Sequence, residues 1–376
     1  MYFLIINFEI NILPKTYKIL IAPLDWGLGH ATRSIPLITG LLAEGCEVLI
    51  AADGTIQALL EQEFPELTFL PLKGYRIQYS QQKKWLPLKI ILQIPRLLFS
   101  IFSEHQWLKK VVKDHSINAI ISDNRFGLYH KYIPSIYITH QLLIITGNRF
   151  TERLLMKLNY CFIKKYYECW IPDFEGDSNI AGQLSHPSPL PANVKYIGGL
   201  SRFEPKPSVE IKYDLLILLS GPEPQRTIFE KKIMLQLKQY NGKALLVQGL
   251  PKANKISKTN ENDKIHVRNH IATQELNMVI EQSKIIITRS GYTTVMDLLK
   301  LQKKAILIPT PGQTEQEFLA KYLMLQKLFY SVEQHEFLLS DALEKADQFP
   351  YLHSSFNMEQ YKRVIQQFVL TMSTAQ

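Results

Sequence analysis

A histidine and a carboxylate near the start of the chain have the residue types and spacing to do chemistry. His30 ends the stretch DWGLGH, which follows the apolar run KILIA and precedes a helical pattern. At a helix N-terminus the dipole lowers the pKa of an imidazole and favours the neutral form, which can accept a proton. Asp123 ends the apolar run INAIISD, so its carboxylate would reach the same sheet edge and could orient the far ring nitrogen. The pair predicts a general base for a hydroxyl group.

Spacing alone leaves two alternatives to this catalytic pair open. His30 could cap a helix while Asp123 forms a turn before Asn124. Asp25 is a rival acid, because it lies in the same loop as the histidine.

The glycines of this loop could serve a phosphate. Gly27 and Gly29 fit the first two positions of the dinucleotide fingerprint G-x-G-x-x-G, and Asp53 follows the next apolar run. Thr32 occupies the third position, where close helix–strand packing needs glycine or alanine, which argues against a dinucleotide. We expect Gly27 and Gly29 to let the backbone approach a phosphate of the acceptor or donor, while His30 does the chemistry.

Three loops in the second half of the chain place small and polar residues at predicted helix starts. They are LLSGPEPQR, IIITRSGYTTVMDLL and PTPGQTEQEFLA, with the candidate donor-binding residues Ser220, Gly221, Arg226, Ser290, Gly291, Thr293, Thr294, Asp297, Glu315 and Gln316. Helix N-termini favour phosphates, and carboxylates and amides can bind ribose or sugar hydroxyls. Helix capping explains any single loop better. On successive loops of one sheet edge, however, they favour a nucleotide-sugar.

The elements that would position these residues alternate along the chain. Apolar β-rich runs are separated by helix-length segments, which predicts parallel sheets with helices on both faces. The stretch GGLSRFEPKPSVEIKYD suits an extended linker. We therefore predict an α/β protein of two doubly wound, Rossmann-like domains that face a cleft. The first domain, residues 1–203, would bind the acceptor, and a linker at 204–211 would join it to the second domain. The second domain, residues 212–350, would bind the nucleotide-sugar. Residues 351–376 would form a C-terminal helix able to cross back to the first domain.

Composition narrows the function classes. The 376 residues are 46% hydrophobic and 20% charged, which is typical of globular domains and sufficient for two of them. Three cysteines without metal-type spacing indicate a reducing compartment. The net charge of +9 predicts an acidic partner, but no sequence motif supports nucleic acid. The apolar start lacks signal-peptide features, and the stretch at 85–102 is too interrupted by prolines and polar residues to span a membrane.

Much of the positive charge lies in two amphipathic helical segments, residues 83–113 and 149–165. Such helices could lie on an anionic membrane surface. Alternatively, they could pack against the domain with their lysine ends extended into solvent.

These motifs together resemble a known family. RSGYTTVMDLL followed by PTPGQTEQEFLA is similar to the donor-binding signature of two-domain GT-B glycosyltransferases of the family 28 type. WGLGHATRS resembles the glycine-rich N-terminal loop of that family, and most closely a branch with a GxGHxTRS loop. IGGLSR, at 197–202, extends the resemblance between these motifs. Two departures are SGPEPQR in place of a GGS loop and Glu315–Gln316 in place of paired glutamines, so the donor sugar need not be N-acetylglucosamine.

The resemblance implies a role for each matched position. Arg202 would contact the diphosphate, residues 290–294 the α-phosphate, Asp297 the ribose, His270 and Ile271 the base, and Glu315 and Gln316 the sugar hydroxyls. GT-B enzymes that modify small molecules often pair the loop histidine with an aspartate near the position of Asp123, which supports the catalytic pair.

The predicted function is an inverting, metal-independent transfer of a hexose or N-acetylhexosamine from a UDP-sugar to an acceptor hydroxyl. We expect neither cofactor nor metal, since no DxD-type motif occurs near the donor loops. The acceptor is unknown; a lipid-linked or cell-envelope precursor fits the basic helices, with the protein in the cytoplasm and peripheral on the inner membrane face. A nucleotide-sugar 2-epimerase and a non-catalytic nucleotide-binding protein are the alternatives.

Overall fold

The computed structural model describes residues 16–25, 27–75, 86–250, 264–352 and 355–374. The apolar start of the chain, which lacks signal-peptide features, lies outside them, as do the first residues of the predicted basic segment at 83–113.

Seven parallel strands form the first sheet. In chain order they are β1 (Lys18–Pro23), β2 (Glu47–Ala52), β3 (Thr68–Pro71), β4 (Ala119–Asp123), β5 (Ser135–Ile138), β6 (Glu168–Ile171) and β7 (Val194–Tyr196). Their order in the sheet is β3-β2-β1-β4-β5-β6-β7. The helices between them are α1 (Leu28–Ala43), α2 (Gly54–Glu63), α3 (Leu86–His115) and α4 (Arg149–Ile163).

Six parallel strands form the second sheet. They are β8 (Tyr213–Leu218), β9 (Ala244–Val247), β10 (Ile265–Arg268), β11 (Ser283–Thr288), β12 (Ala305–Leu307) and β13 (Tyr330–Ser331), in the order β10-β9-β8-β11-β12-β13. The accompanying helices are α5 (Gln225–Leu237), α6 (Thr273–Glu281), α7 (Tyr292–Lys300), α8 (Thr314–Leu325) and α9 (Leu339–Gln348). The predicted fold class, two doubly wound parallel sheets, is confirmed.

Both sheets reverse their strand order at one point, between β1 and β4 and between β8 and β11. Such switch points leave a crevice at the carboxyl ends of the strands, where ligands bind. In the first sheet Pro23 of β1 is in register with Asp123 of β4. The loop after β1, which carries His30, therefore begins beside Asp123.

The last helix, α10 (Gln360–Thr374), packs on the first sheet. Its buried face, Tyr361, Val364, Ile365, Phe368 and Met372, joins the same core as β1, β2 and α1. Gly40 of α1 allows this close approach, because a Cβ there would lie 2.7 Å from Cδ1 of Ile365. Residues 204–211 lie between β7 and β8 and contain neither helix nor strand.

Several element boundaries differ from the sequence prediction. Helix α5 begins at Gln225, inside the stretch LLSGPEPQR that was predicted to precede a helix. Pro224 is its N-cap residue, and proline is well tolerated at a helix start because its missing N–H would have no partner there. The strands β7 and β13 were not predicted; each has only two or three residues, too few to show a periodic pattern.

Candidate active site

His30 and Asp123 meet at the switch point of the first sheet. Gly27, with φ of 81°, is the N-cap of α1 and places His30 in the first turn of that helix. Asp123 is the last residue of β4 and is almost fully buried. Nδ1 of His30 lies 3.0 Å from Oδ2 of Asp123. Asp25, the rival acid, does not make this contact; its carboxylate packs against Gly74 and its Oδ1 is buried without a hydrogen-bond partner.

Arg33, which the sequence analysis did not single out, clamps the same carboxylate. Its Nε donates to Oδ2 of Asp123 at 2.7 Å, and its Nη2 donates to Oδ1. Burial alone raises the pKa of Asp123, but Arg33 and His30 outweigh it, so this pKa lies well below its ordinary value. The carboxylate is therefore ionised and can only accept hydrogen bonds.

These contacts fix the protonation of His30. Nη2 of Arg33 also lies 2.7 Å from Nδ1 of His30. A guanidinium nitrogen can only donate, and Nη2 already donates to Oδ1 of Asp123. Nδ1–H of His30 therefore donates to Asp123, and the unprotonated nitrogen is Nε2. No residue in the described part of the chain hydrogen-bonds Nε2.

Burial sets the basicity of His30. It lowers the pKa of His30, Asp123 acts against it, and Arg33 lowers the pKa further, with a net shift below the ordinary value. The direction matches the sequence prediction, although burial, rather than the helix dipole, is the largest cause. A neutral imidazole with one free nitrogen, oriented by a carboxylate, can remove a proton from a hydroxyl group.

His140, also missed by the sequence analysis, continues this network across the cleft. It follows β5 and is buried. Its Nδ1 lies 2.8 Å from Nη1 of Arg33, and its Nε2 lies 2.8 Å from Oε1 of Glu315 at the start of α8. Its ring stacks on Tyr292 of α7, with centroids 4.2 Å apart. The predicted sugar-binding carboxylate thus connects to the predicted catalytic pair through two side chains.

The loops before α7 and α8 lie against each other and against the loop of His30. Ser290 donates to the backbone oxygen of Gln316 at 2.8 Å, and the side chain of Gln316 accepts from the backbone N–H of Thr310. Thr293 donates to the backbone oxygen of Gly29 at 3.3 Å. Gly291 is the N-cap of α7 and no side chain caps that helix, so the N–H groups of its first turn, which includes Thr294, are open to an anion.

A second group of predicted donor residues surrounds Arg202. Its Nη1 donates to Thr273 at 3.0 Å, and its Nε is buried without a partner. Asp297 accepts from Ser201 at 2.6 Å, and burial raises the pKa of Asp297 to about 6. The pKa of His270 is lowered by burial and by Arg202, which places the two side chains near one another. Ile271, the next residue along the chain, is buried.

The loop after β8 differs from the expectation. Ser220 and Gly221 are exposed at the carboxyl edge, and Gly221 has φ of 101°. Arg226, however, forms ion pairs with Glu223 at 2.6 Å and Glu230 at 2.7 Å. Its charge is balanced by one carboxylate of the preceding loop and one of its own helix, so we do not assign Arg226 to the phosphates.

Two searches bear on metals and membranes. Within the described ranges, no three His, Cys, Asp or Glu side chains cluster in a way that could hold a metal ion. None of the helices in those ranges is long and apolar enough to cross a bilayer.

The chain folds into two doubly wound domains, with His30 and Asp123 on the first and the helix N-termini of the donor loops on the second, and this is the architecture of GT-B glycosyltransferases. Solved structures show the same fold. The glycotransferase of kitacinnamycin has a TM-score of 0.59 at 15% identity over 96% of both chains. The glycosyltransferase SsfS6 of Streptomyces sp. SF2575, solved with thymidine diphosphate, has a TM-score of 0.56 at 13% identity over 95% of this chain and 96% of that one.

Sequence comparisons identify the type of glycosyltransferase. Residues 224–368 match the glycosyltransferase family 28 C-terminal domain. A relative from Clostridium tetani (strain Massachusetts / E88) is 22% identical over 334 residues, covering 82% of this chain and 88% of its own length. It is named UDP-N-acetylglucosamine--N-acetylmuramyl-(pentapeptide) pyrophosphoryl-undecaprenol N-acetylglucosamine transferase. The chain is therefore a glycosyltransferase with the GT-B fold and a C-terminal domain of the family 28 type.

Proposed function

We propose that the protein transfers a sugar, with inversion and without a metal, from a nucleoside diphosphate sugar to an acceptor hydroxyl. The observation that carries this proposal is the hydrogen bonding of His30 in the first domain. His30 has one nitrogen held by Asp123 and the other without a hydrogen-bond partner among the residues that the structure describes, and Gly29 beside it contacts the donor-side Thr293.

The donor would lie on the second domain. The uncapped N-terminus of α7 offers N–H groups to the phosphates, and Arg202 adds a buried guanidinium with an unpartnered Nε. These groups supply the positive charge that a diphosphate leaving group needs, which supports transfer without a metal. We propose UDP as the nucleotide because the Clostridium tetani relative is named for a UDP-sugar.

The reaction would be a single displacement. The acceptor oxygen bonds to the anomeric carbon on the face opposite the diphosphate, while its proton passes to Nε2 of His30. The bond between that carbon and the diphosphate oxygen breaks, and the nucleoside diphosphate leaves. Asp123 holds the imidazole in place and stabilises the imidazolium once it forms, and Arg33 holds the carboxylate of Asp123.

The acceptor would be carried at a membrane surface. The relative named above acts on an undecaprenol-linked substrate. Helices α3 and α4 share a small apolar cluster, yet also expose Leu98, Phe99, Phe102, Phe150, Leu154 and Leu158. Exposed arginines accompany them, at Arg96, Arg149 and Arg153. We propose that this surface rests on anionic lipid at the inner face of the cytoplasmic membrane and presents a lipid-linked acceptor to the cleft.

The first experiment is titration calorimetry with UDP, GDP, dTDP and ADP, followed by the sugars of the nucleotide that binds. We expect one nucleotide to bind, and Arg202→Ala to weaken it about tenfold or more by removing a charged hydrogen-bond donor. His30→Ala should keep donor binding and lose transfer by at least about a hundredfold.

Three outcomes would contradict the proposal. If none of the nucleotides bound, the donor loops would be only capped helices. If the His30→Ala variant turned over normally, the base assignment would be wrong. If the protein converted the donor sugar to its 2-epimer with no acceptor present, it would be an epimerase of the same fold.

A further inference from the structure

His140 occupies an unusual position between the two halves of the cleft. Its imidazole lies between a cation of the first domain, Arg33, and a carboxylate of the second, Glu315. Both contacts are 2.8 Å long, and the ring is stacked on Tyr292 with an interplanar angle of 9°. Tyr292 is itself fixed, because its hydroxyl donates to the backbone oxygen of Pro172 in the first domain. The ring of His140 therefore has one orientation in the closed cleft.

The hydrogen bonds determine the tautomer of His140. A guanidinium has donors only, so Nδ1 of His140 must accept from Arg33 and carry no proton. The single proton is then on Nε2, which donates to the carboxylate of Glu315. His140 is thus a neutral group between two opposite charges, and it gives each of them a fixed direction.

We propose that His140 is a positioning residue that couples the donor-sugar site to the catalytic base. On one side it orients the Glu315 carboxylate toward the donor sugar; on the other it holds Arg33 against Asp123, which in turn orients His30. This inference rests on the proposed function, since it needs Glu315 to contact the sugar and His30 to act as the base.

A spacer is needed here because the charges on either side attract each other. Glu315 raises the pKa of Arg33, after the larger effects of burial and of Asp123, so the two groups are within electrostatic reach. Without the imidazole, Arg33 and Glu315 could close on one another. Arg33 would then leave Asp123, and the carboxylate of Glu315 would no longer be available to bind the sugar. With His140 in place, the closed cleft holds both groups in their working positions.

The test compares three variants. His140→Phe keeps the ring stacked on Tyr292 and removes both hydrogen bonds. His140→Gln restores an acceptor and an N–H donor on one planar group. The matched control is His186→Phe, because His186 is a half-buried histidine that stacks on Tyr196 with centroids 4.4 Å apart, but lies outside the site. Thermal unfolding shows which variants are folded.

The first readout is the pKa of His30, measured by NMR of the protein labelled with ¹⁵N-histidine, which needs no donor. The groups that face His30 are Asp123 from β4, Arg33 from α1, His140 after β5 and Glu315 from α8. In His140→Phe, Arg33 is released and no longer opposes protonation, so the pKa of His30 should rise by about one pH unit. In His140→Gln the pKa of His30 should return most of the way to its wild-type value, and in His186→Phe it should equal that value.

The second readout is the ratio of affinities for UDP-sugar and UDP, since only the sugar would contact Glu315. We expect His140→Phe to bind UDP normally and to bind UDP-sugar about tenfold more weakly, with partial rescue by His140→Gln. If the pKa of His30 were unchanged in His140→Phe, His140 would not act through Arg33. If the affinity ratio were unchanged, His140 would not orient Glu315. Equal effects in His186→Phe would mean that packing alone is responsible. If wild-type protein bound no nucleotide, the proposed function would fail, and the NMR measurement would still decide the part played by Arg33.

Discussion

At the scale of single residues, burial rather than position in a helix controls the charges of this site. Asp123 and Asp297 are both buried carboxylates, yet their pKa values move in opposite directions. Asp123 has an arginine and a histidine that outweigh the burial cost, whereas Arg202 and the hydroxyl of Ser201 offset only part of that cost for Asp297. A buried carboxylate is stable as an anion only when such partners compensate for lost hydration.

Asp297 gives a prediction for stability against pH. Its pKa is raised to about 6 in the folded protein. In an unfolded chain an aspartate has a pKa of about 3.9, so the folded state binds the proton more tightly. Stability from this group is present at low pH and is lost as the pH rises from about 4 to above 6. The difference of about two pH units corresponds to about 3 kcal/mol. Asp297→Asn, which keeps an acceptor for Ser201, should not show this loss.

The measurement is urea unfolding of both proteins at pH 4.5 and at pH 7.5. The variant should gain stability relative to wild type at the higher pH. The control is Asp347→Asn, at an exposed position of α9, which changes the net charge equally without altering a buried group. Parallel pH dependences for wild type and Asp297→Asn would show that Asp297 is ionised at little cost in the folded state.

The sequence revealed some of these residues and concealed others for a physical reason. His30 and Asp123 were found because each ends a recognisable strand or starts a helix. Arg33 lies three residues after His30, so it shares one face of α1, and this spacing was the available signal. His140 follows β5 as Asp123 follows β4, but the importance of that position depends on Glu315 and Tyr292, which are far away in sequence. Arg226 is the converse case, because its ion-pair partners Glu223 and Glu230 have helical spacing and were visible in the sequence.

At the scale of elements, helices α3 and α4 present the most unusual surface. The side chains of Phe99 and Phe150 are 71% and 77% exposed, more than an ordinary surface aromatic, and basic residues adjoin them. Neighbouring exposed apolar residues mark surfaces that bind partners or lipid. The sequence predicted both helices and their amphipathic character, but left open whether the apolar face packs inward. The structure shows that only part of it does, through Leu97, Ile101 and Phe162.

We therefore predict that this surface binds anionic vesicles. Wild-type protein should sediment with vesicles of phosphatidylglycerol and much less with phosphatidylcholine. Phe99→Ser with Phe150→Ser should weaken binding about tenfold or more, because each ring contributes apolar area to the interface. Leu325→Ser is the matched control: Leu325 is 80% exposed on α8, in the second domain. Equal losses in the control and the double variant, or no binding by wild type, would contradict a membrane role for α3 and α4.

At the scale of the whole molecule, alternation of strands and helices was enough to predict two parallel sheets, since that pattern is local. The arrangement of the sheets was not predictable in the same way. The domains meet through contacts such as Thr314 to the backbone oxygen of Ile145, at 2.8 Å, and Tyr292 to Pro172. These pairs are separated by well over a hundred residues and follow no sequence period. Which residues contact one another between the domains depends on how the two domains are placed, and no local sequence pattern gives that placement.

A close approach between the domains beside His30 provides the last prediction. Gly29 of α1 faces Thr293 of α7, and a Cβ on Gly29 would lie 3.2 Å from Oγ1 of Thr293. Alanine suits the helical backbone of α1, so Gly29→Ala should act mainly by holding the two loops apart. The double variant Gly29→Ala with Thr293→Ala removes the colliding hydroxyl. In the double variant the cleft should close again, and the coupling energy between the two positions should be about 1 kcal/mol.

Closure can be followed by the distance between two spin labels. Cys161 is the one exposed native cysteine in the described residues and lies on α4; Leu325→Cys supplies a second site on α8. Because the labels are on opposite domains, an open cleft shifts the distance distribution. We expect a shift in Gly29→Ala, and a return toward the wild-type distribution in the double variant. Identical distributions in all variants would mean that Thr293 rotates away at no cost. Additive shifts would mean that the two residues act independently, and the contact between them would not control closure.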